Sequence, residues 1–195
     1  SFAIPQFDDP LLKNQWCYRN EGSFPGHVAG ADLNVYPAWS AATGSSDVIV
    51  AVFDGGIDYT HPDLADNMWT DGEGHYGYDF CGNKPEVDPS PHGTRIAGMI
   101  GAVNNNGLGV CGIAGGDGTP GSGVKMMSCQ VFGEGSADIM KMMVWAADRG
   151  AVISQNSWNF PMTNILPRDM SDAFDYFIEN AGMADTDGDG VNDLH

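Results

Sequence analysis

Apolar positions along the chain follow two alternating rhythms. DVIVAVFD (47–54) is apolar without a break until its last residue, a length and β-branched content that predict a strand buried on both faces. GVKMMSCQVF (123–132) reads the same way, and AVISQNSW (151–158) reads as a strand. Between these runs the spacing becomes helical. LNVYPAWSAATG (33–44) sets Val35, Trp39 and Ala42 on one face and stops at Gly44, and HGTRIAGMIGAV (92–103) carries small and apolar residues at helical intervals. SADIMKMMVWAADRG (136–150) predicts a helix capped by Ser136 and stopped by Gly150, and PRDMSDAFDYFIENAG (167–182) predicts another. The stretch 64–91, rich in Gly, Asp, Asn and Pro, reads as a long surface excursion with a short hairpin in HYGYDF (75–80). Doubly apolar strands separated by helices predict an α/β fold, a parallel sheet with helices on both faces.

Composition narrows what such a fold does here. The 195 residues are 42% hydrophobic, enough to bury a core, and carry 26 acidic against 8 basic residues for a net charge of −18. That charge repels phosphate backbones and anionic lipid surfaces, so nucleic acid is not an expected partner. There is no run of eighteen apolar residues to span a membrane, and the start SFAIPQFDDP has neither the basic nor the apolar region of a signal peptide, which reads as a mature or trimmed chain. Cys17, Cys81, Cys111 and Cys129 are widely spaced with no C-x-x-C, which argues against a zinc or redox centre and leaves their pairing open. The carboxylate excess favours oxygen-liganded cations such as calcium.

Two residues carry the candidate chemistry. Asp54 ends an apolar strand, where ligands of open α/β sheets bind and where a buried carboxylate needs a partner. By itself it reads equally well as the cap of the turn DGG. His92 opens a later helix, followed by the small Gly93. An Asp at a strand end and a His at a helix start match the orienter and base of a serine-protease triad in the order Asp, His, Ser.

VFDGGIDYTHPDL around Asp54 and HGTRIAGMIGAVNNNGLGVCGIAGG from His92 resemble the two leading signatures of the subtilisin-like serine peptidases, D-[ST]-G-I-x-x-x-H-P-D-L and H-G-T-x-V-A-G. DDPLLKNQW resembles the start of a mature domain of that family, and VISQNSWN its cleft-lining strand V-I-N-M-S-x-G, so nearly the whole chain is covered. The resemblance implies a subtilisin-like three-layer fold, incomplete in this chain. Residues 1–195 would form the N-terminal part of a single catalytic domain of a secreted or envelope-attached endopeptidase. Asp54 would be the triad aspartate and His92 the base, with Gly135, Ser136, Ser157, Trp158 and Asn159 as cleft residues that pair with an extended peptide or protein substrate by strand addition.

The departures from the pattern are specific. Gly55 stands where Ser or Thr is usual, Arg95 where His is common and Asn159 where Gly is usual. The third signature, G-T-S-M-A with the nucleophile, does not occur in the 195 residues, nor does the segment bearing the oxyanion-hole Asn; TGSSD (43–47) and GTPGSGV (118–124) read as turns instead. The expectation is a chain inactive alone, with the serine on a docked companion fragment of the same protein. Two other readings stay open: a non-catalytic binding module of the same fold, and a metal-dependent hydrolase using Asp54, Asp58, His61, Asp63 and His92.

A calcium site is expected in DTDGDGVND. Asp185, Asp187 and Asp189 fall at positions one, three and five of a loop, with Gly190 for the turn, the Val191 carbonyl at seven and Asp193 at nine. The family resemblance implies a second calcium position at Asp63 with the Asn-rich stretch 103–110.

Overall fold

The run ending at Asp54 is a central strand. β1 (Ile49–Asp54) lies parallel to β3 (Lys125–Gln130) on one side and to β4 (Ala151–Asn156) on the other; β2 (Gly77–Asp79) joins β3, giving the order β2-β3-β1-β4 with every pairing parallel. Asp54 is level with Gln130 of β3, and Phe53 with Asn156 of β4, so the carboxyl ends of three strands meet at one rim. The Val131 N–H donates to the Asp54 carbonyl at 2.8 Å, carrying the ladder one step past β3. Successive residues Val50, Ala51, Val52 and Phe53 are all buried, and since alternate side chains point to opposite faces, both faces of this strand are covered.

The computed structural model describes residues 6–159 and 167–183. They fall into two compact units. The unit containing the sheet comprises Asp47–Tyr59, Met68–Ile96 and Lys125–His195. On one face Ala51, Phe53, Met127 and Cys129 pack with Met142, Met143, Ala146 and Ala147 of α3 (Ile139–Ala147) and with Ala173 and Phe177 of α4 (Arg168–Asn180). The buried positions of α4, Met170, Ala173 and Phe177, recur at i, i+3 and i+7, the stripe that a helix lying on a sheet presents.

The other unit comprises Ser1–Ser46, Thr60–Asn67 and Ala97–Val124. Tyr18, Val35, Trp39 and Cys111 form its core. The aromatic polar groups reach backbone partners: Tyr18 Oη donates to the Cys111 carbonyl at 2.8 Å, and Trp39 Nε1 to that of Ile113 at 2.8 Å. Burial pushes the Tyr18 phenol well above its usual range.

Three elements differ from the sequence expectation. HYGYDF is not a hairpin: its Gly77–Asp79 segment pairs in parallel with β3, and Gly77 is needed because a Cβ there would lie 1.8 Å from the Ser128 carbonyl oxygen. The helix expected from Ser136 starts at Ile139, since Asp138 takes the capping role by accepting the Lys141 N–H at 3.2 Å. α1 (Val35–Trp39) is only five residues long. Asn34 sits in the left-handed region at φ 53°, which blocks extension upstream, and the Ser40 and Ala41 N–H groups tighten onto the Pro37 and Ala38 carbonyls, three residues back, at the helix end.

Candidate active site

Asp54 is only 1% exposed, and its carboxylate is fully engaged. Oδ1 accepts the Gly55 N–H at 2.6 Å, and Nδ1 of His92 lies 2.9 Å from Oδ1 and 2.8 Å from Oδ2. His92 is on the first turn of α2 (Pro91–Gly101) with its side chain 64% exposed. With Nδ1 donating to the carboxylate, the neutral imidazole has its acceptor at Nε2, on the ring edge away from Asp54. The pair is therefore an oriented base: a buried anion fixes tautomer and ring plane, and the free nitrogen faces outward.

Backbone chemistry explains how a helix start comes this close to a strand end. Gly56 has φ +96°, and a Cβ on it would sit 2.0 Å from the Asp88 carbonyl oxygen, so both conformation and space require glycine. A Cβ at Gly93 would meet the Gly56 carbonyl oxygen at 2.3 Å and Asp54 Oδ1 at 3.2 Å. Asp58 donates its N–H to Thr94 Oγ1 at 2.9 Å, and Ile57 its N–H to Ser128 Oγ at 3.0 Å, which ties the turn after Asp54 to α2 and to β3.

Four of the five predicted cleft residues line one pocket. Gly135, Ser136, Trp158 and Asn159 border a cavity of ≈ 250 Å³ together with Cys81, Phe132, Ile139 and Met142. Ser157 does not line it; its Oγ accepts from Gln155 Nε2 at 2.6 Å. Sequence reading missed Cys81 and Phe132. Phe132 follows the carboxyl end of β3, so the strand-end rule that singled out Asp54 also pointed to it; Cys81 carried no signal, because only tertiary contact brings it to Gly135, whose Cβ would lie 2.6 Å from its carbonyl oxygen.

Asp63 is 3% exposed, and both oxygens accept N–H bonds, Oδ1 from Asn106 Nδ2 at 2.9 Å and Oδ2 from the Val110 N–H at 2.9 Å. Each oxygen keeps a second lone pair beyond these bonds. Asp185, Asp187, Asp189, Val191 and Asp193 lie outside the described residues. Among the described residues, the group of acidic and imidazole side chains with ligand atoms within 4.8 Å of one another is the exposed Asp71 and Glu73 with the half-buried His75; Asp54, Asp58 and His92, three of the five residues of the metal-hydrolase reading, do not form such a group.

Comparison with known proteins adds to this geometry. The model of the subtilase family, peptidase family S8, matches residues 45–187. Neuroendocrine convertase 2 of Bos taurus is 37% identical over 127 residues, 62% of this chain and 19% of that protein. The halolysin-like extracellular serine protease Nep of Natrialba magadii is 34% identical over 145 residues, 69% of this chain and 25% of that protein. The crystal structure of a serine protease of Aeromonas sobria superposes with a TM-score of 0.70 at 25% identity, covering 92% of this chain and 31% of that one. The chain thus spans between about a fifth and a third of the length of these relatives.

Proposed function

The chain belongs to the subtilase family, and from that premise we propose that it carries the acid–base half of a serine endopeptidase active site, with Asp54 and His92 as its first two triad members. The observation that carries this reading is the buried Asp54 carboxylate bonded to Nδ1 of a solvent-facing His92. In the proposed reaction His92 Nε2 takes the proton of a serine hydroxyl as that oxygen attacks a peptide carbonyl, then returns it to the leaving amine. Asp54 holds the tautomer and stabilises the imidazolium that forms between the two transfers.

The serine is supplied, in this reading, by polypeptide outside these 195 residues, since the G-T-S-M-A signature does not occur within them. The residues form the N-terminal part of a single catalytic domain, and a companion segment of the same protein docks beside β4. Among the described residues β4 ends the sheet order, and its Ile153 is 48% exposed, which supports such a neighbour. The pocket of Gly135, Ser136, Trp158 and Asn159 receives an apolar substrate side chain, and Ser157 contributes at the adjoining strand end.

Calcium belongs to the same proposal as a structural ion, bound in the loop 185–193 by Asp185, Asp187, Asp189, the Val191 carbonyl and Asp193, with Asp63 as a second position through the lone pairs its two N–H bonds leave. Among the described residues no helix is long and apolar enough to cross a membrane. One relative is described as extracellular, which supports work outside the cell or at its envelope.

The test is labelling with a fluorophosphonate. The protein together with its companion segment should be labelled on a serine of that segment and should hydrolyse peptides, and Asp54→Asn or His92→Ala should abolish both. Hydrolysis that ignores the fluorophosphonate and stops in a strong chelator would overturn the reading in favour of a metal hydrolase; absence of labelling and hydrolysis in a folded complex would favour the binding module.

A further inference from the structure

Gly55 is not glycine for the sake of its backbone, because it is absent from the residues with positive φ. Space is the reason. A Cβ at position 55 would lie 2.6 Å from Ser90 Oγ and 2.9 Å from Ser90 Cβ, so the Ser90 side chain fills the volume that a residue-55 side chain would take. Four hydrogen bonds, two of the side chain and two of the backbone, hold Ser90 there. The Ser90 N–H and Oγ donate to the Gly56 carbonyl at 3.2 and 3.3 Å, which ties Ser90 to the turn leaving Asp54. The other two cap α2: the Gly93 N–H donates to Ser90 Oγ at 3.0 Å and the Thr94 N–H to the Ser90 carbonyl at 3.0 Å.

Ser90 is thus bonded at once to the strand-end turn that bears Asp54 and to the helix start that bears His92. We infer that Ser90 is the positioning residue of the Asp54–His92 pair, and that Gly55 leaves the space that admits it. The hydroxyl that the pattern D-[ST]-G puts one residue after the aspartate is absent at position 55 and present at position 90, two residues before the histidine. Physically this locks the distance between a strand end and a helix start that no covalent neighbour fixes. Nδ1 lies almost equally far from the two oxygens, 2.9 and 2.8 Å, so a slide of α2 by a few tenths of an ångström alters both contacts.

The inference rests on the serine-protease reading for its kinetic consequence but not for its structural one, and the two are read separately. The structural readout is the low-field Nδ1 proton resonance of His92, followed in ¹⁵N-histidine-labelled protein and assigned by its loss in Asp54→Asn. Ser90→Ala should shift or broaden that resonance, and in the active complex lower kcat about tenfold with KM within about twofold, because misorientation of the base acts on the transition state. Ser90→Thr, which keeps the hydroxyl, should restore both. Gly55→Ser should disturb the resonance by collision with Ser90, and Gly55→Ser/Ser90→Gly should recover it; this pair decides the matter if Ser90→Ala does not fold. A Ser90→Ala protein with a lowered Tm but an unaltered resonance and kcat would make Ser90 a helix cap alone and overturn the inference, while leaving the protease reading intact. The expected resonance changes in a protein that hydrolyses nothing, wild type included, would overturn the protease reading and uphold the positioning role. A wild type without the resonance would overturn both.

Discussion

Asp54→Asn changes one atom's hydrogen-bonding character and should reverse the imidazole. The Gly55 N–H, 2.6 Å from Oδ1, demands an acceptor, so the asparagine carbonyl has to take the Oδ1 position. Its amide nitrogen then occupies the Oδ2 position, 2.8 Å from His92 Nδ1. Nδ1 is 2.9 Å from the Oδ1 position as well, but the carbonyl there already accepts the Gly55 N–H at 2.6 Å, whereas the amide N–H at the nearer Oδ2 position has Nδ1 as its acceptor, so the tautomer with Nδ1 bare and the proton on Nε2 is favoured. The outward nitrogen is then a donor and cannot take a serine proton. The expected loss in kcat is about 10⁴-fold, the size of the same tautomer error in a chymotrypsin-type triad; that corresponds to about 5.5 kcal/mol of transition-state stabilisation. Folding should suffer little, because each buried group keeps a partner. Histidine ¹⁵N shifts would report the tautomer, and hydrolysis by the complex would report kcat. An Asp54→Asn protein that retains the Nδ1 proton, or one within tenfold of wild-type kcat, would refute the reasoning.

Other expectations follow from separate parts of the molecule. Calorimetric titration with calcium should give a binding isotherm that Asp187→Ala/Asp189→Ala removes, and identical heats in both proteins would end the claim. Gly56→Ala should cost at least about 1 kcal/mol in denaturant unfolding, since it combines a φ of +96° with a 2.0 Å contact to the Asp88 carbonyl oxygen. Cys111 and Cys129, both fully buried with thiols pushed up mainly by burial, should resist iodoacetamide at pH 8 until the protein unfolds; rapid modification in the folded state would contradict their packing. His75 has its pKa raised above 6.5, chiefly by its hydrogen bond to Asp71, so the protonated ring is favoured in the folded loop. Its contribution should therefore be complete below pH 6.5 and fade as pH rises through the raised value, and Asp71→Asn should bring the NMR titration of His75 back toward 6.5.

Local pattern was enough for much of the architecture. An uninterrupted apolar run has no polar face to give to water, so VIVAVF had to lie inside a sheet covered on both sides, and the helical spacing of Met170, Ala173 and Phe177 had to pack on something flat. Asp54 and His92 were also legible, since a charge that ends such a strand requires a partner and strand ends are where partners gather. What eluded the sequence depended on contacts between distant segments. Gly77 reads as a turn residue until β3 is seen passing so near that its Cβ would touch Ser128. Cys81 reads as an isolated thiol until Gly135 is packed against it. Above all, Gly55 and Ser90 are thirty-five positions apart; the first reads only as a departure from the family pattern and the second as a turn residue, and their complementarity exists only once α2 is set against the turn after β1. Periodicity records which way a side chain faces, one element at a time. Which atoms share a given volume is decided when elements from far along the chain are pressed together, and excluded volume, unlike hydrophobic rhythm, leaves no trace in the order of residues.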